Sequence, residues 1–205
     1  MSTYEFATLQ AKTSAAPAAE EQLEAYLNSP ANLGQLLGCW ISEIGALNRI
    51  GLLRRYQDDA THDKERQSLL TSGNPFGCGT YLTGMSLDRC TPFPNLPEID
   101  TGTFGPFYEI RTYEMETGGL APTLETWEKA VPIRAERSKL VTVMRTVEGA
   151  PRMISIWPYQ TIENRQDVRS KAIEDGIWPP NDSFKHLKTD MLSTIYLPTS
   201  FSPLK

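Results

Sequence analysis

The sequence predicts an α+β fold of two tandem units of about a hundred residues, 1–103 and 104–205, each running strand, helix, strand, strand, helix, strand. Three observations carry this: ordered self-similarity at near-constant spacing, short alternating runs of β-branched and aromatic residues, and helix-start signals at matching places. Tyr4-Glu5 returns as Tyr108-Glu109, Thr8 as Thr112, and Gly45-Ala46 as Gly149-Ala150, each 104 residues on. Tyr56 and Tyr159, like Arg66 and Arg169, are 103 apart, as one deleted residue in the second turn requires. Pro92 and Pro198 close the two units.

In the first unit, strands are expected at Tyr4–Lys12, Leu36–Glu43, Arg49–Tyr56 and Tyr81–Cys90. Helices fall at about Pro17–Leu27 and Asp58–Ser72. In the second, Phe107–Met115 alternates as a strand, and Leu120–Ser138 carries Leu124, Trp127, Val131 and Ala135 at helical spacing. Pro132 should kink that helix or end its first part. Lys139–Val147 and Arg152–Tyr159 form a hairpin around Glu148-Gly149-Ala150-Pro151. Thr161 caps a helix to about Asp175, as Asp58 does in the first unit. Ile177–Asp190 reads as a Pro-containing loop and short helix, and Met191–Leu197 as the last strand.

This order is the ferredoxin-like split βαβ arrangement, with both helices on one face of an antiparallel sheet. The other face, about four strands wide and apolar, needs burial. The two units are therefore expected to pack sheet to sheet as an intramolecular pseudo-dimer.

Composition narrows the function classes. The chain is 40% hydrophobic and 22% charged, with 20 basic and 25 acidic residues for a formal charge of −5. No Lys/Arg block stands ready to neutralise a run of phosphates, so nucleic acid is not an expected partner. Apolar stretches are strand-sized and the first residues lack a secretory pattern, which points to a cytoplasmic protein with no membrane partner. Cys39, Cys78 and Cys90 lack disulfide or zinc spacing and read as small buried hydrophobes.

Alternation places Glu109, Arg111 and Tyr113 on one strand face, with Met153, Ser155, Trp157 and Tyr159 as the matching set on the neighbouring strand. Brought together in an inter-sheet cavity, they make a small-ligand site with few convergent polar groups. In one reading Arg111 holds an anionic or enolate oxygen, Glu109 moves a proton, and Tyr113, Trp157 and Tyr159 line the pocket. In the other, Glu109 and Arg111 are a structural ion pair.

His62 and His186 are too few for a metal cage and read as surface residues, so neither a metal nor a cofactor is expected. The remaining use for a lone histidine is as an axial haem ligand, for which His186 is the better candidate. Gly73–Gly79 precedes a strand and lacks the Lys-Ser/Thr of a phosphate loop, so it reads as a connection. The mixed charges Glu163, Arg165, Asp167, Arg169 and Lys171 read as a solvated helix face. Trp178 either overhangs the pocket as a lid or packs on its own helix, the second being the default.

The second unit carries Tyr108-Glu109-Ile110-Arg111-Thr112-Tyr113, Leu140-Val141, Glu148-Gly149-Ala150-Pro151, Trp157-Pro158-Tyr159, and Arg165 and Arg169 on the following helix. In this ordered set it resembles the NIPSNAP family over roughly Phe107 to Pro203. The first unit keeps Glu5 but has Ala7 and Leu9 where Arg111 and Tyr113 stand, while its hairpin Glu43–Arg49 is the more family-like of the two. The resemblance implies a dimeric α/β-barrel fold, shared with cofactor-free monooxygenases, isomerases and haem-degrading enzymes, and no defined reaction. Any site should then be single and lie toward the second unit, with the first unit as the wall that closes it. Further homo-oligomerisation stays open.

Overall fold

The computed structural model describes residues 2–180 and 182–205. The chain divides into two compact units. The first is Met1–Cys90 with Thr101–Thr103 and Tyr196–Lys205, and the second is Thr91–Asp100 with Phe104–Ile195.

The first unit contains β1 (Thr3–Ala11), α1 (Ala16–Leu27), β2 (Gln35–Ile44), β3 (Arg49–Tyr56), α2 (Asp59–Thr71) and β4 (Leu82–Pro92). Its strands lie in the order β4-β1-β3-β2, and every pairing within that sheet is antiparallel. Pro17 opens α1, where its fixed φ suits the first turn, and the helix buries Ala19 and Leu23. The Asp58 carboxylate caps α2 by accepting from the Thr61 amide at 2.8 Å. Residues 73–79 are a connection, with short 3-10 turns at Pro75–Gly77 and Gly79–Tyr81, and its buried Phe76 joins the core under α1. All three cysteines are buried.

The second unit contains β5 (Phe107–Met115), α3 (Leu120–Ala135), β6 (Thr142–Thr146), β7 (Arg152–Tyr159), α4 (Ile162–Glu174) and β8 (Leu187–Pro198), ordered β8-β5-β7-β6. The Thr161 hydroxyl caps α4 through the Asn164 amide at 2.9 Å, matching Asp58. Gly45 (φ 106°) and Gly149 (φ 71°) supply the left-handed residue at matching hairpin turns.

Three expectations change. Helix α3 runs through Pro132 to Ala135 and stops short of Ser138, since a proline near a helix end removes few bonds. Strand β8 starts at Leu187 rather than Met191, because backbone pairing extends it through a polar, exposed stretch that no side-chain alternation marks. The tail after β8 returns to the first unit, where the Cys39 amide donates to Ser202 Oγ at 2.9 Å and the Thr199 amide to the Cys39 carbonyl at 3.0 Å. Asn181, which ends the expected Trp178-Pro179-Pro180 loop, lies outside the described residues. Among the described residues no helix is long and apolar enough to cross a membrane.

Candidate functional site

In the second unit the β5–β7 register sets Glu109 opposite Trp157, Arg111 opposite Ser155, and Tyr113 opposite Met153. This face turns toward the unit's own helices. A cavity of about 320 Å³ opens there. Arg111, Tyr113, Ser155, Trp157 and Tyr159 line its sheet side, and Trp127, Arg134, Arg169 and Ile173 come from α3 and α4. Trp178, Pro179, Phe184 and Met191 complete it, with the exposed Ile173 and Phe184 at its rim.

The expected inter-sheet placement, with the first unit as a wall, is therefore corrected, because every lining residue belongs to the second unit. The physical reason is partner supply. Glu109 is fully buried and needs cations. α4 presents two of them, while the opposite sheet face carries the apolar Ile110, Ile154 and Ile156.

Glu109 Oε1 accepts from Arg111 at 3.0 Å, from Arg165 at 2.5 Å and from Ser193 Oγ at 2.7 Å. Oε2 lies 3.8 Å from Arg169. Burial alone would raise this carboxyl, but the Arg165 bond, the Arg111 charge and the Ser193 bond together hold it below the usual glutamate range. The ion-pair reading of Glu109 and Arg111 thus describes a real contact. The pair is not closed, however: Arg111 also lines the cavity and is 18% exposed. Its Nε donates to Tyr113 Oη. Burial, with the Arg111 charge working in the same direction, pushes Arg169 below the usual arginine range.

Two polar groups in the cavity lining are unsatisfied. Ser155 Oγ and Trp127 Nε1 are buried and have no hydrogen-bond partner among the described residues. Around them stand three tryptophans. Trp178 meets Trp127 edge to face at 4.8 Å and Trp157 at 5.9 Å, and Arg134 stacks over the Trp157 ring at 4.8 Å. Trp178 therefore both packs on α3 and lines the cavity.

The corresponding face of the first unit is filled. Ala7 lies opposite Leu52 and Leu9 opposite Ile50, packed with Leu23 and Phe76. Glu5 lies opposite Arg54, which donates to Glu5 at 2.6 Å and to Glu65 at 2.6 Å. His62 Nε2 is 3.1 Å from Glu5, and Tyr26 Oη donates to Glu65 at 2.7 Å. Burial works against the Arg54 charge, but Glu5 and Glu65 outweigh it and raise its pKa. His62, expected at the surface, is fully buried, because the carboxylate of Glu5 gives its ring a partner inside the unit.

Of the residues singled out from sequence, Arg111, Tyr113, Trp157 and Tyr159 line one cavity and Glu109 sits behind them. His186 ends the 3-10 turn before β8 and is not among the lining residues. Arg134 and Ser193 escaped the sequence reading, and Arg165 and Arg169, expected on a solvated helix face, instead turn inward to Glu109. Arg165 and Arg169 had a signal: with Ala172 they form an i, i+4, i+7 stripe, hidden because a solvated helix shows mixed charges too.

A sequence profile of the NIPSNAP family matches residues 4–74 and 108–203. Protein NipSnap of Drosophila melanogaster is 23% identical over 186 residues, covering 84% of this chain and 66% of its own length, so the match spans about two thirds of the fly protein. Human Protein NipSnap homolog 3B is 24% identical over 213 aligned positions, covering 98% of this chain and 85% of its own. The crystal structure of an anthrone oxidase-like protein superposes with a TM-score of 0.64 at 12% identity, covering 100% of this chain and 94% of that one, a likeness of fold alone. With both units matched by one profile on a fold of this class, the chain belongs to the NIPSNAP family, with the fold of the dimeric α/β-barrel proteins.

Proposed function

We propose that this NIPSNAP protein is a cytoplasmic binding protein that takes a small, partly apolar ligand into the cavity of its second unit. The observation that carries the reading is a space of about 320 Å³ reaching Arg111, with an unpartnered buried hydroxyl at Ser155. That volume falls within the roughly 300–1,000 Å³ range of small-molecule sites. Three buried cysteines with no disulfide spacing in the sequence suit a reducing compartment.

The enzymatic alternative is cofactor-independent oxygenation or isomerisation of an enolisable or aromatic substrate, and it draws on fold likeness to the anthrone oxidase-like protein. It asks for a group that takes a proton. Glu109 already accepts from Arg111, Arg165 and Ser193, which disfavours its protonated form. The geometry thus favours Glu109 as an anchor for the arginines, and binding over proton transfer. A non-enzymatic module with a packed interior describes the first unit better than the second.

The test is a panel of neutral and charged one- and two-ring compounds, read by thermal shift on the native chain and on Ser155→Leu. At least one compound should raise the melting temperature of the native protein and fail to do so for the variant. Identical responses across the panel would remove the reading.

A further inference from the structure

We infer that the ligand of this cavity is a planar aromatic anion, a carboxylate or enolate borne on one or two rings. The inference rests on the cavity being a ligand site and specifies what enters it. Its first support is a charge imbalance. Arg111, Arg134 and Arg169 line the space and Arg165 stands behind it, against the single carboxylate of Glu109. Among the unit's other acids, Glu114 pairs with Lys188, and Asp175 with Arg137 and Lys171. Guanidinium groups do not discharge in proteins, so their mutual repulsion and desolvation persist until an anion offsets them.

Donor geometry gives the second support. Arg111 spends its Nε on Tyr113 and one terminal nitrogen on Glu109, and its other terminal nitrogen carries no hydrogen bond among the described residues. Arg169 makes only the 3.8 Å approach to Glu109 Oε2, with no hydrogen bond among the described residues. Two guanidinium groups with free N–H donors beside an unpartnered Ser155 hydroxyl match the two oxygens of a carboxylate. Arg134 is held over Trp157 by stacking, so anion contact falls to Arg111 and Arg169.

The walls give the third. Trp178 meets Trp127 and Trp157 at interplanar angles of 85° and 70°, so neither pair is stacked face to face, and all three rings line the space. Such walls favour a flat ring over a fully hydrated ion. The volume, at the lower end of small-molecule sites, limits that ring system to one or two rings.

The experiment is calorimetric titration of the full chain with 2-naphthoate, methyl 2-naphthoate, 2-naphthylmethylammonium and inorganic phosphate. It is repeated on Arg111→Gln, Arg169→Gln and Ser155→Leu, each checked for native near-UV circular dichroism. Naphthoate should bind at least tenfold more tightly than its ester, and the cation and phosphate should bind more weakly still. Each arginine variant should lower naphthoate affinity at least fivefold and leave the ester unchanged. Equal binding of ester and naphthoate, both lost in Ser155→Leu, would overturn the anion and leave the small-molecule cavity standing. Phosphate binding as tightly as naphthoate would overturn the aromatic half. No binding of any probe, with Ser155→Leu thermally and calorimetrically indistinguishable from native, would overturn this inference and the ligand-site reading together.

Discussion

In the first unit, strands β1 and β3 set Ala7 against Leu52 and Glu5 against Arg54; at the matching places of the second, β5 and β7 set Arg111 against Ser155 and Glu109 against Trp157. The backbone pairing is the same and the outcome differs. With the guanidinium on the strand opposite the acid, Leu52 and its neighbours close the first core; with it on the acid's own strand, the second is left with a cavity. Both acids remain ionised and buried. Glu5 and Glu65 share Arg54, and Glu5 also meets His62, whereas Glu109 alone faces several arginines. A closely packed cluster whose members bond one another contributes rigidity; an arginine-rich one beside empty space is suited to binding.

Breaking the packed side should have the largest effect. Arg54→Ala leaves Glu5 and Glu65 buried without their cation, and should cost about 3–5 kcal/mol in urea unfolding. Leu52→Ser, which gives the first unit the second unit's residue, should cost about 2–5 kcal/mol through a new cavity and an unpartnered hydroxyl. A loss below about 1 kcal/mol in either variant would show that the first unit is not filled as described.

The acid limb tests both carboxylates at once. Glu5 and Glu109 titrate below their ordinary value of 4.5 in the folded chain. The stability they contribute is complete above that value and is lost as pH falls through the folded one. Unfolding free energy should therefore drop steeply below pH 4.5, and Glu109→Gln should flatten that limb. An unchanged limb in the variant would contradict the arginine cluster around Glu109.

Two smaller effects sharpen the contrast. Arg111→Ala should cost about 1 kcal/mol or less, since Glu109 keeps Arg165 and Ser193, and should weaken ligand binding. If affinity stayed the same while the melting temperature fell, Arg111 would be structural only. Ser155→Leu should change stability by less than about 1 kcal/mol, or raise it, because it fills space and removes an unsatisfied hydroxyl. A loss of several kcal/mol would mean that the space around Ser155 is already packed.

Much of this frame was legible. Phe107–Met115 and Arg152–Tyr159 have the bounds their alternation predicts, and Asp58 and Thr161 both cap helices. The in-and-out pattern of β5 gave Glu109, Arg111 and Tyr113 a shared face correctly. It could not tell which layer that face meets. Strand alternation has period two and carries no sign, and α2 and α4 are too polar for an apolar stripe to show their inward side. His62 and Arg165 were hidden for this reason: each is a polar residue buried against a glutamate of another element. Arg134 was hidden differently, on an otherwise apolar helix face where its aliphatic stem passes for core.

The most direct measurement is a crystal structure of the protein grown with 2-naphthoate. The ring should lie among Trp127, Trp157 and Trp178, with its carboxylate toward Arg111 and Arg169, and the matching face of the first unit should be filled by its own side chains, Ala7, Leu9, Leu23, Ile50, Leu52 and Phe76 among them. Clear density for the cavity side chains with only water between them, or naphthoate seated in the first unit, would contradict the account.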